Sequence, residues 1–176
     1  MGRQAEVAER WLLAAGAFFA LAVVVHNGDH VRRGAEAVSS DVFWVGTLSI
    51  VLEVGLVALV CARHRLAPLA AVALGGGLAV GYVVVHFLPE RSLLSDSFSS
   101  GDDVAALSWF AASLEVAAAL AIATAGALVL SQRGGLVSAS RPTPGEGTVL
   151  DGLRHPLAAA FALSQVVVIV LSFAQR

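Results

Sequence analysis

The sequence contains no lysine, only one cysteine and few charges, with 14% of its 176 residues charged against roughly 25% in soluble domains. All eleven basic residues are arginine, thirteen acids oppose them for a net −2, and no basic run exceeds two residues. Nothing therefore supplies the basic footprint of a nucleic-acid-binding surface. The lack of lysine also removes the phosphate-cradling loop of nucleotide hydrolases. Cys61, alone among apolar neighbours, builds neither a disulfide framework nor a thiolate metal site within one chain. No serine occupies a G-x-S-x-G turn, which sets aside that class of nucleophilic hydrolase.

What the chain has in abundance is apolar surface. Apolar residues make up 57% of it, and the mean hydropathy of +0.81 excludes both disorder and a water-soluble fold. A transmembrane helix needs about 20 mostly apolar residues. Five stretches approach or meet that length: Trp11–Asn27, Val42–Ala62, Leu66–Leu88, Ala106–Leu130 and Pro156–Phe173. The first is read as a span rather than a cleaved leader, because His26–Asn27–Gly28–Asp29–His30 offers no small-residue cleavage site. Pro156 suits the first turn of the fifth helix.

The expected fold is all-α: a polytopic integral membrane helix bundle in the cell membrane, in contact with the lipid bilayer. With five spans, Arg3, Arg10, Arg63, Arg65, Arg133, Arg141 and Arg154 collect on one side, and Arg32, Arg33, Arg91 and Arg176 on the other. That surplus puts the N-terminus in the cytoplasm and the loop carrying Asp96, Asp102 and Asp103 outside. The division expected is a four-helix body over 1–130, a flexible cytoplasmic linker over 131–155 rich in Pro, Gly and Ser, and a fifth transmembrane helix over 156–176.

An internal repeat is legible within the body. Val23–Val24–Val25–His26 returns as Val83–Val84–Val85–His86 sixty positions later, and Leu52–Glu53–Val54 returns as Leu114–Glu115–Val116 after sixty-two. The spacing from histidine to glutamate is 27 residues in one unit and 29 in the other. Units of about 5–65 and 66–130, each a helix pair in the same order, predict a pseudo-two-fold axis along the membrane normal. Gly77 and Gly81 form a small-xxx-small pair expected to admit a neighbouring backbone. Gly28 or Asn27 is expected to end the first helix early.

A carboxylate at the bilayer centre costs at least about 2.5–3.5 kcal/mol, so Glu53 and Glu115 need an interior place and partners. His26, Glu53, His86 and Glu115 are therefore the candidate metal ligands, with Asp29, His30 and Glu90 supporting them from outside. The residue types resemble those of carboxylate-bridged metal bundles, in the reverse order. Helical rise places the histidines about 6–9 Å shallower than the glutamates.

The function expected is an outward-facing His/Glu site for a divalent transition metal, Zn²⁺, Mn²⁺ or Fe²⁺, serving transport, sensing or redox chemistry and reached by a small ion or molecule from the extracytoplasmic side. Bis-histidine haem ligation ranks below it. Two other classes fit the same inventory. One is a small proton-coupled transporter relaying through Glu53 and Glu115, in which so few spans imply a homodimer; the other is an accessory membrane subunit whose acids fix helix register.

Overall fold

The computed structural model describes residues 2–89, 95–99, 104–134 and 149–174. These residues are helices and their connections, with no strand among them. Helix α1 covers Gly2–Arg33, α2 Ser40–Cys61, α3 Ala67–Phe87, α4 Ala106–Gly134 and α5 Val149–Ala174. All five are long and apolar enough to cross a membrane. The chain is thus a multi-pass helical bundle.

Helix α1 runs 32 residues, about 48 Å at 1.5 Å per residue, and outreaches a hydrocarbon core of about 30 Å. Gly28 does not end it. The stop is Gly34, whose φ of 86° lies in the left-handed region open to glycine, and its N–H returns to the His30 carbonyl at 3.1 Å. Continuity through Gly28 is what aligns His26 with His30 one turn later. A 3₁₀ turn over Ala35–Ala37 leads to α2, whose start is capped by Ser39 accepting from the Val42 N–H.

Helix α3 departs from regular α geometry in two places. The segments Ala71–Gly75 and Val83–Phe87 are π-helical, with His86 in the second. Such wide turns occur often at functional sites, because the extra residue re-aims the side chains that follow. Here it turns Tyr82 and His86 inward while Val83 and Val84 face out.

Lipid tails are as apolar as leucine, so helix association in a membrane rests on close packing of small residues. Helix α4 meets α1 and α3 along such a seam: Ala22, Ala71, Ala111, Ala112, Ala118 and Ala119 are all fully buried. The closest backbone approach is at Gly75 and Gly126. A Cβ on Gly75 would stand 2.9 Å from the Ala119 carbonyl, and one on Gly126 would stand 2.6 Å from the Pro68 carbonyl. The expected pair, Gly77 and Gly81, meets nothing within 4 Å and faces open space instead.

Helix α2 stands apart. Its contacts with α3 concentrate in Ala67–Gly75, so the two diverge beyond that point, and α2 leans on α1 and α5. The two helix pairs of the expected repeat are accordingly not packed alike. Helix α5 lies along α1 and α2, held by Asn27 donating to Gln165 Oε1 at 2.8 Å and by Phe173 against Phe43 and Trp44. Pro156 sits inside α5 rather than in its first turn, because the helix begins at Val149. Most of the expected linker, together with Glu90, lies outside the described residues.

Candidate metal centre

His26, His30 and His86 converge between α1 and α3, each offering a ring nitrogen within 4.8 Å of the others. Among the described residues no other trio of His, Cys, Asp or Glu comes so close. Nε2 of His26 and Nε2 of His30 are 3.0 Å apart, and the His26 and His86 rings meet edge to face at 4.9 Å between centroids. Two nitrogens bound at 2.0–2.1 Å to one tetrahedral ion stand about 3.3 Å apart. The His26–His30 pair is therefore close to ligand spacing.

Two of the three rings have a carboxylate behind them. Nδ1 of His26 faces Glu115 Oε2 at 3.4 Å, and Nδ1 of His86 faces Asp96 Oδ2 at 3.4 Å and the Asp96 carbonyl at 3.3 Å. A carboxylate on one ring nitrogen fixes the tautomer and frees the other nitrogen to bind. Glu115 thus lies beside the cluster, despite the depth difference that helical rise suggests; the α1–α4 contact brings it level with His26. Its Oε2 and His26 Nδ1 are close but make no hydrogen bond.

Glu53 lies elsewhere. It accepts from the Tyr82 hydroxyl at 2.6 Å, and Tyr82, one turn before His86, also faces Glu115. Tyrosine therefore stands between the two acids, both of them 1% exposed. Asp29 turns to Arg32, accepting at 2.7 and 2.8 Å, while Arg32 reaches Ser108 on α4 at 3.2 Å. It ties α1 to α4 above the cluster.

Residues 95–99 close the end of the bundle beside the cluster. The Asp96 N–H donates to the Val85 carbonyl and the Phe98 N–H to the His86 carbonyl, which satisfies acceptors at the end of the π segment. Arg33 holds the Asp96 carboxylate through two hydrogen bonds of 2.7 Å and stacks over Phe98 at 5.2 Å, and Phe98 packs on the His86 ring. Burial pushes the Asp96 carboxyl up, but hydrogen bonds from Arg33 and His86 and the charge of Arg33 outweigh it and hold the group below the ordinary carboxylate range.

A cavity of about 210 Å³ opens beside the cluster, between α1, α2, α3 and α5. His26, His30, His86, Glu53, Tyr82 and Glu115 form its polar end, and the rest is mainly aliphatic side chains and glycines, with the hydroxyls of Thr47, Ser49 and Ser172 among them. Tyr82 and Asp96 are absent from the ligand set drawn from sequence. Tyr82 carried a signal, standing four residues before His86 on one helical face; Asp96 carried none, since only the loop closure brings it back to α3. No family model matches this chain, no curated protein is significantly similar to it, and no solved structure matches its fold.

Proposed function

We propose that this multi-pass membrane protein binds one divalent transition-metal ion through His26, His30 and His86, with Glu115 and Asp96 orienting two of the rings. The observation that carries this reading is the 3.0 Å Nε2–Nε2 approach of His26 and His30, with His86 alongside and carboxylates on the far nitrogens of His26 and His86. Three imidazoles favour Zn²⁺ or Fe²⁺ over Mn²⁺, which prefers oxygen donors. Three protein ligands also leave a fourth position open for water or a substrate, as in reactive rather than purely structural zinc sites. That open position supports chemistry or transfer at the cavity. Haem is disfavoured, because ring centroids 4.9 Å apart leave no slot for a porphyrin between His26 and His86.

One observation favours a second reading. Glu53, Tyr82, Glu115 and His26 form a buried polar string from the middle of α2 to the outer end of α1, a geometry suited to proton relay. Elemental analysis of protein purified without added chelator divides the two. About one zinc or iron per chain is expected, with competitive chelator titration giving a saturable site. Metal-free protein with no measurable affinity for either ion overturns the metal reading and leaves the relay.

A further inference from the structure

The cavity beside the histidines has a shape and a polarity that the metal site does not require. Its wall includes Gly46 on α2 and Gly77 and Gly81 on α3, all three open to the outside of the bundle. A Cβ on any of them would meet nothing within 4 Å. They line the gap where α2 and α3 diverge, so the cavity has a side opening through the flank of the bundle. Gly81 adjoins Tyr82, and Tyr82 bonds Glu53, so this opening leads toward the buried acids.

Inside, two acceptors lack donors. Glu53 and Glu115 each keep one carboxyl oxygen without a hydrogen-bond partner, and both residues are 1% exposed in the cavity wall; that of Glu115 lies 3.4 Å from His26 Nδ1, which leaves Glu53 Oε2 for a ligand. An unsatisfied buried oxygen costs about 1–3 kcal/mol, so a ligand that donates there gains on binding. The remaining wall is mainly aliphatic, with Val42, Ile50 and Val168 among its side chains, and it also carries the small hydroxyls of Thr47, Ser49 and Ser172. The volume of about 210 Å³ falls below the 300–1,000 Å³ typical of sites that enclose a whole drug-sized ligand. It suits a head group and the first carbons of a chain whose remainder stays in the bilayer.

We propose that the cavity binds a single-chain membrane amphiphile with a hydrogen-donating head, a hydroxyl or an ammonium, which enters sideways between α2 and α3 at Gly46, Gly77 and Gly81 and donates to the free oxygen of Glu53. The proposal stands apart from the metal reading and holds whether or not an ion sits on the histidines. It implies that access to the polar interior comes from the lipid as well as from the outer surface.

The test uses the full chain in phosphatidylcholine nanodiscs with two photo-reactive probes, a diazirine-bearing hexadecanol and its methyl ether, and maps labelled peptides by mass spectrometry. The hexadecanol is expected to label 43–50 and 168–172 at least fivefold above the other lipid-facing helices, and the ether, which cannot donate, to label all helices evenly. A parallel arm with the corresponding alkylamine distinguishes ammonium from hydroxyl. Gly77→Leu/Gly81→Leu fills the opening from α3 and Gly46→Leu fills it from α2; each is expected to cut hexadecanol labelling at least fivefold. Equal labelling by alcohol and ether in the wild type overturns the proposal without any variant, and labelling undiminished in the folded glycine variants overturns the lateral route. Zinc content is measured on the same samples. Retained zinc with unselective labelling removes the amphiphile and keeps the metal; selective labelling of zinc-free protein does the reverse.

Discussion

His86 Nδ1 stands 3.4 Å from Asp96 Oδ2 while Arg33 grips the same carboxylate through two hydrogen bonds of 2.7 Å. One acid thereby couples a candidate ligand on α3 to the end of α1. Removing its charge while keeping its shape is expected to leave the loop in place but to release the tautomer of His86. Loss of such an orienting partner typically weakens metal binding about 10–100-fold. Chelator competition on Asp96→Asn reads this directly, and an affinity unchanged from wild type would remove Asp96 from the site.

The ligand set itself predicts a graded series. His26→Ala, His30→Ala and His86→Ala each remove a ring from the trio and are expected to abolish stoichiometric metal. Glu115→Gln, which acts through His26, should weaken binding about 10–100-fold, and Glu53→Gln, separated from the trio by Tyr82, should change it less than about threefold. His64 and His155 are exposed and remote from the trio, so their alanine variants serve as controls. Metal loss in Glu53→Gln as severe as in His30→Ala would return Glu53 to the ligands.

Acid should empty the site before it loosens the clamp above it. Neutral imidazole binds metal and protonated imidazole does not, so acid should lower occupancy. The groups facing the rings are Glu115 and Tyr82 at His26, Asp29 near His30, Asp96 at His86 and the rings of one another, with Arg33 beyond Asp96. Asp96, held below its ordinary value, has a different window. A depressed folded pKa contributes stability above the unfolded value of 3.8, lost only as pH falls through the folded one. Metal release tracked from pH 8 to 4, with circular dichroism alongside, should therefore show emptying without unfolding; simultaneous loss of both contradicts the separation.

Sequence conveyed the spans because hydropathy is additive along the chain, and each of the five helices covers its apolar run to within one residue at either end. It conveyed the inward place of Glu53 and Glu115 because the cost of an exposed acid in hydrocarbon is independent of fold detail. His30 was harder to weigh. Its role depends on α1 passing Gly28, a question settled by packing and by the stronger stop at Gly34 rather than by local propensity. The Gly77/Gly81 spacing reads as a contact motif in one dimension, yet the divergence of α2 from α3 turns it into an opening. Asp96 reaches His86 through a loop closure that no periodicity encodes.

The glycines make opposite predictions that share one measurement. Alanine is favoured over glycine in a helix by about 0.5–1 kcal/mol where space is free. Gly77→Ala meets nothing within 4 Å and should stabilise the protein by that amount. At Gly126 the added Cβ would stand 2.6 Å from the Pro68 carbonyl and 2.8 Å from the Ala71 Cβ, so α3 and α4 must separate. Overpacking of that kind costs about 1–3 kcal/mol and outweighs the propensity gain. Thermal unfolding in one detergent should move the two variants in opposite directions, and a stabilised Gly126→Ala would mean that the α3–α4 seam is looser than described.

Sidedness follows from combining contacts with charge. The Arg33–Asp96 pair puts the end of α1 and the 95–99 segment on one side of the bundle, and crossing helices then put Arg3, Arg10, Arg63 and Arg65 on the other. Basic residues near span ends are retained in the cytoplasm, so the side bearing Arg63 and Arg65 should be inner and the side bearing Asp96 outer. In a Cys61→Ala background, a cysteine introduced at Ser97 is expected to react with a membrane-impermeant maleimide in intact cells. One introduced at Ser138 should react only after permeabilisation. The reverse pattern would invert the protein, and with it the direction from which ions reach His30 and His86; reaction at both positions in intact cells would mean that the chain crosses the membrane an even number of times between them.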